Sequence, residues 1–84
     1  MRLVFAEEAW DDYLYWQRQD RKMVERINKL IQEIRRDPFA GIGKPEALKH
    51  ALAGFWSRRI TDEHRVVYKV DGDALLIAQL RYHY

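Results

Sequence analysis

The sequence predicts an α+β domain, two N-terminal helices packed on one face of a small, mainly antiparallel twisted β-sheet. Three observations carry that prediction. Apolar residues recur with helical period over positions 6–34, turn signals cut positions 48–82 into short stretches of strand character, and the two halves meet at a loop, 38–47, that holds both prolines. Strand, helix, helix, then a meander is the resulting order.

Taking the elements in turn, Arg2, Leu3, Val4 and Phe5 form a short β-type run. Ala6, Trp10, Tyr13, Leu14 and Gln17 then recur at i, i+4, i+7, i+8 and i+11, the stripe of an amphipathic helix. Glu7, Glu8, Asp11 and Asp12 crowd its first turns, where acids suit the helix dipole. Asp20 offers an N-cap for a second helix carrying Met23, Val24, Ile27, Leu30, Ile31 and Ile34 on one face, and Asp37-Pro38 ends it. With almost no linker between them, the helices are expected to form an antiparallel hairpin. Four strands are expected over 48–52, 55–61, 64–70 and 74–82, divided by Ala53-Gly54, Asp62-Glu63 and Asp71-Gly72-Asp73.

Eighty-four residues are expected to make one domain, 1–84. Hydrophobic residues at 48% and aromatic residues at 13% are enough to bury a core, which argues against disorder. The absence of cysteine excludes a disulfide scaffold, a thiolate-ligated zinc and a thiol nucleophile. No apolar run approaches the ~20 residues of a membrane span, and the N-terminus lacks a signal-peptide core, so the chain is expected to be cytoplasmic. Net charge is only +2, too small by itself to argue for a nucleic-acid partner. Residues 1–40 carry eight basic and eight acidic side chains, which assigns the excess and all three histidines to residues 41–84.

Strand parity sharpens that assignment. If both tight hairpins close through three-residue loops centred on Asp62 and Gly72, even-numbered residues share one sheet face and odd-numbered residues the other. The even set (Trp56, Arg58, Ile60, His64, Val66, Tyr68, Val70, Leu76, Ala78, Leu80, Tyr82) is expected to face the helices. Arg59, Arg65, Lys69, Arg81 and His83 fall in the odd set, a cationic face. A two-residue loop at Asp62-Glu63 would instead scatter the arginines.

Each candidate residue has a bland reading beside its chemical one. Arginines on a strand face can grip phosphate bidentately, or can simply deter edge-to-edge aggregation. His83 is a penultimate residue of the kind that often frays, here bracketed by Tyr82 and Tyr84. Glu46 follows Lys44-Pro45, which restrains it better than an open loop would, although a surface glutamate is the commoner reading. His50, His64 and His83 match no metal-ligand spacing, and no cofactor is expected. Trp10, Tyr13, Tyr15 and Trp16 read as core and interface rather than as a base-stacking platform. A loop carboxylate, a histidine and a set of arginines together suit metal-free RNA cleavage. A base takes the 2′-OH proton, that oxygen attacks the adjacent phosphate, an acid protonates the leaving 5′-oxygen, and cations stabilise the phosphorane.

The strings Trp10-Asp11-Asp12-Tyr13-Leu14-Tyr15-Trp16, Lys44-Pro45-Glu46, Gly54-Phe55-Trp56-Ser57-Arg58-Arg59-Ile60-Thr61, Glu63-His64-Arg65-Val66-Val67-Tyr68 and Arg81-Tyr82-His83-Tyr84 resemble those of the YoeB (Txe) toxins. These belong to the RelE/ParE superfamily of type II toxin-antitoxin modules, and the likeness runs over essentially the whole chain. It implies a ribosome-dependent endoribonuclease that cuts mRNA in the ribosomal A site, blocks translation, and is held by a YefM-like antitoxin. The resemblance makes Glu46 the general base, His83 the general acid and Arg65 the phosphorane stabiliser. It gives Lys49 and Arg59 the phosphate and Tyr84 the orientation of tail and substrate. Ala47, where a second proline is common, and Leu80, where cysteine is common, depart from the family pattern. Strict alternation points Tyr84 away from His83, so the last residue is expected to leave strand geometry. A homodimer is expected from the family and from the aromatic first helix. A ParE-like gyrase poison and a non-catalytic RNA- or peptide-binding module are the competing readings.

Overall fold

In a computed structural model that describes residues 1–82, the opening β-type run forms β1 (Arg2–Phe5). The expectations for His83 and Tyr84 lie outside the described residues. The next element, α1 (Glu7–Gln19), has no side-chain cap at Ala6, and Glu7 and Glu8 face the positive end of its dipole instead. Asp20 both ends α1 and begins α2 (Arg21–Arg36). Its N–H donates to the Trp16 carbonyl at 2.9 Å while its carboxylate accepts from the Lys22 N–H at 3.1 Å. One residue therefore makes the whole turn of the helical hairpin. Tyr13 pins it further by donating to Asn28 Oδ1 at 2.7 Å.

Met23, Ile27, Leu30, Ile31 and Ile34 line the buried face of α2, as their spacing predicts, and α2 ends at Asp37, before Pro38. They pack with Ala9, Trp16, Ile60, Val66, Tyr68, Leu75, Ile77 and Leu80 into one cluster. Each fully buried Ile or Leu there stabilises the fold by about 1.5–3 kcal/mol. Among the described residues, no helix is long and apolar enough to cross a membrane.

The sheet contains β2 (Glu46–Ala47), β3 (Trp56–Arg59), β4 (Arg65–Asp71) and β5 (Ala74–Gln79), in the order β1-β5-β4-β3-β2. Among the described residues, the β1–β5 pair is parallel and the other three are antiparallel. The strand expected over 48–52 is absent. Pairing stops after Ala47, because His50 takes a left-handed φ of 58° and starts a 3-10 turn, His50–Leu52, which breaks the strand alternation.

The two hairpins close differently. Pairing of Arg59 with Arg65 and of Ser57 with Val67 centres the first on Asp62, as expected. The second pairs Asp71 with Ala74 through the two-residue turn Gly72-Asp73, with Gly72 at φ 61°, instead of a three-residue loop. That one-residue slip reverses parity in β5. Leu75 and Ile77 are fully buried in the core, and the expected Leu76 and Ala78 lie on the opposite face, half-buried. A register shift at Val67/Tyr68 then restores parity, so Leu80 reaches the core as predicted. Tyr82, also expected in the core, is exposed, and β5 ends at Gln79 rather than at 82.

Candidate active site

Register places the loop carboxylate on the same sheet face as Arg59 and Arg65. Glu46 pairs with Ser57, Ser57 with Val67, and Val67 with Gln79, so these four side chains share one row across four strands. The corresponding row on the opposite face is Ala47, Trp56, Tyr68, Ile77 and Phe5, of which all but the exposed Ala47 pack in or against the helix-facing core. Ser57 and Val67 are short and buried, and form the floor of the site row. Glu46, at its edge, is exposed.

Arg59 and Arg65 are cross-strand partners two residues further along, hence on the same face and about 7 Å away along the strands. Both are half-buried. Arg65 donates through Nη1 to the carbonyls of Thr61 at 2.8 Å and Asp62 at 2.7 Å, which holds its guanidinium against the hairpin. Arg59 Nη1 lies 3.8 Å from the carboxylate of Asp62, which is fully exposed, a contact too long and too wet to neutralise it. Lys49 is exposed and lines the same depression as Glu46, together with Leu48 and the 3-10 turn. The structure thus sets Glu46, Arg59 and Arg65 on one sheet face, whereas Lys49, which follows Leu48 opposite Phe55, lies toward the other end of β3 from Arg59. His83 and Tyr84 lie outside the described residues.

The loop before Glu46 is held by Arg58, on the other face of β3. Arg58 is fully buried and, among the described residues, has no carboxylate partner. Its guanidinium donates instead to the carbonyls of Asp37, Ala40 (3.0 Å) and Ile42 (3.1 Å) and to Tyr68 Oη (3.2 Å), and Tyr68 donates onward to the Pro38 carbonyl at 2.6 Å. Burial pushes the Tyr68 phenol above its ordinary value, with the nearby Arg58 opposing that rise. Gly43, at φ 84°, lets the loop pass so close that its carbonyl accepts the Arg59 N–H at 2.7 Å. Arg58 therefore lies on the helix side, as expected for the even-numbered set. Its even number was the signal, since parity already put it on the helix side.

Arg81 is not on the cationic row either. Its guanidinium carbon lies 3.6 Å from the centroid of the Tyr15 ring, and Nη2 donates to Tyr82 Oη at 3.2 Å. The helical half, balanced in sum, is polarised in space. The segment Arg21–Arg36 carries six basic residues (Arg21, Lys22, Arg26, Lys29, Arg35, Arg36) against Glu25 and Glu33. Arg26 donates from Nε to the Ile60 carbonyl and lines a shallow depression with Lys44 and Arg59. The cations therefore extend from the sheet onto α2, although the net excess of +2 lies in residues 41–84.

Comparison with known proteins agrees with this arrangement. The profile described as "YoeB-like toxin of bacterial type II toxin-antitoxin system" matches residues 5–84. Toxin YoeB of Escherichia coli K12 is 64% identical over 84 residues, covering 100% of both chains. The solved YoeB/ParE toxin from Agrobacterium tumefaciens is 57% identical with a TM-score of 0.97, again over 100% of both chains. From Staphylococcus aureus, YoeB in a heterotetrameric YoeB-YefM complex is 48% identical with a TM-score of 0.91, and a YoeB dimer is 48% identical with a TM-score of 0.92. Each alignment covers 100% of this chain and 98% of the other. With its whole length matched and its sheet face so arranged, the chain belongs to the YoeB-like toxins of bacterial type II toxin-antitoxin systems.

Proposed function

We propose that this toxin is a ribosome-dependent endoribonuclease that cleaves mRNA in the ribosomal A site. One observation carries the reading. Glu46, Arg59 and Arg65, from three different strands, share the sheet face that the helices leave open. Glu46 takes the proton of a ribose 2′-OH, and the freed oxygen attacks the adjacent phosphorus. Arg65 stabilises the extra negative charge of the phosphorane, with Lys49 and Arg59 holding the phosphate oxygens. His83 gives a proton to the departing 5′-oxygen, leaving a 2′,3′-cyclic phosphate and a 5′-hydroxyl. Tyr84 orients the tail and the substrate. No group in this sequence of steps requires a metal.

The S. aureus relative assembles with YefM, and we extend that to this chain. A YefM-like antitoxin would lay an acidic segment over the cationic row and fold on binding. The dimer of the same relative supports a homodimer here. Trp10 is 47% exposed and stacks with Tyr13 beside Phe5, leaving an apolar surface for a second copy.

Induced expression followed by mapping of mRNA 5′ ends tests the function. Cuts within translated codons, lost in His83→Gln, are expected. Intact mRNA with DNA breaks would overturn the nuclease in favour of a gyrase poison, and inhibition of growth with neither would favour a binding module.

A further inference from the structure

The last residues of a chain ordinarily fray. In this one, residues 80–82 lie beyond β5, yet hydrogen bonds hold the backbone of all three, the Arg81 carbonyl accepting from Gln79 Nε2 at 2.7 Å. The Leu80 N–H donates to Asp12 Oδ2 at 3.0 Å, and the Leu80 carbonyl accepts from the Trp16 indole at 2.9 Å. Asp12 and Trp16 stand one turn apart on α1, so a single helix face grips both polar groups of one peptide residue. The Tyr82 N–H donates to His64 Nδ1 at 2.7 Å, and the Tyr82 carbonyl accepts from the Arg65 N–H at 3.1 Å.

His64 is built for that acceptance. An Nδ1 that accepts a hydrogen bond carries no proton, so the ring proton sits on Nε2, which lies 3.4 Å from a Glu63 carboxylate oxygen. Its edge packs on Trp16, with ring centroids 4.8 Å apart, so the two grips brace each other. Tyr82 meanwhile takes a left-handed φ of 62°, a conformation a non-glycine residue keeps only where its surroundings impose it.

We infer that Asp12, Trp16 and His64 are positioning residues that clamp residues 80–82 and thereby fix the backbone to which His83 is joined. The inference rests on the reading of His83 as general acid. An acid must meet its oxygen within hydrogen-bond reach, and a displacement of about 1 Å can lower the rate by about 100-fold. A backbone clamp immediately before the acid confines that displacement, whereas a frayed tail would not.

Single-turnover cleavage of a defined mRNA on programmed ribosomes, with the full-length chain, tests the clamp. Asp12→Ala and His64→Phe are expected to lower the saturated rate 10- to 100-fold, with little change in the toxin concentration giving half-saturation. Asp12→Asn and His64→Asn, whose amide oxygens can accept the same backbone N–H groups, should recover most of that rate. Phe preserves the packing on Trp16, so an active His64→Phe beside an impaired His64→Asn would show a packing role and overturn the clamp. His83→Ala runs in parallel. If it abolishes cleavage while Asp12→Ala and His64→Phe cleave like the parent chain, the clamp falls and the acid assignment stands; if it cleaves normally, the acid assignment falls. Amide exchange of Leu80 and Tyr82 in the unmodified chain needs no variant to fold. Slow exchange at both is expected, and exchange at the open-chain rate would overturn the clamp.

Discussion

Arg58 and Arg59 are neighbours on one strand and do opposite work. Arg58 points toward the helices, fully buried, its charge solvated by three loop carbonyls and a tyrosine hydroxyl. Arg59 points the other way, half-buried, beside Arg65 and with only a long contact to Asp62. A buried cation with every guanidinium nitrogen hydrogen-bonded is a structural post. A cation left with solvent on one side can still be claimed by a ligand. The lesson is that arginine chemistry is assigned by which face of the strand a residue occupies, not by its membership of a basic cluster.

The largest expected effect separates the two faces through folding. Arg58→Met strips the donors from the carbonyls of Asp37, Ala40 and Ile42, and should lower unfolding free energy by about 3 kcal/mol or more, read from urea denaturation. On the other face, Arg65→Ala should reduce mRNA cleavage by about 10²- to 10³-fold while changing stability by about 1 kcal/mol or less. A large loss of stability in Arg65→Ala would erase the distinction.

The loop that Arg58 holds gives an intermediate case. A Cβ on Gly43 would sit 3.0 Å from Leu30 Cδ2 and 3.1 Å from Arg58 Cβ, at a φ of 84° that side chains rarely adopt. Gly43→Ala should therefore be destabilised by about 1–3 kcal/mol, seen as a lower Tm. Tyr68 supplies the smallest test. Its folded pKa is raised above 10.0 by burial, so its contribution is complete below pH 10 and is lost as pH rises through the raised value. Tyr68→Phe should flatten that alkaline fall, and should lower stability near neutrality by about 1 kcal/mol because the Pro38 carbonyl loses its donor.

Much of this was legible in residue order. Helical periodicity is local, and it placed Met23, Ile27, Leu30, Ile31 and Ile34 on the buried face correctly. The first hairpin was legible as well, because only a turn centred on Asp62 segregates Arg59 and Arg65 from Ile60 and Val66. The second hairpin was not. Leu75, Leu76, Ile77 and Ala78 are apolar on both parities, so no pattern opposed a one-residue slip, and Gly72-Asp73 closed the shorter turn. The His50 turn, set by a left-handed residue that is not glycine, left no mark in composition either.

The candidate site divides along the same line. The string around Glu46, the paired arginines and the terminal Arg81-Tyr82-His83-Tyr84 are properties of the sequence, and they determined the family and the chemistry to look for. Tertiary structure decided which cations share the sheet face with Glu46, that α2 extends the basic surface through Arg26, and that Asp12, Trp16 and His64 grip the chain just before His83. The physical reason is range. Periodicity and turn chemistry act between residues a few positions apart, whereas the Leu80–Asp12 bond joins groups 68 positions apart and exists only after the helices dock on the sheet.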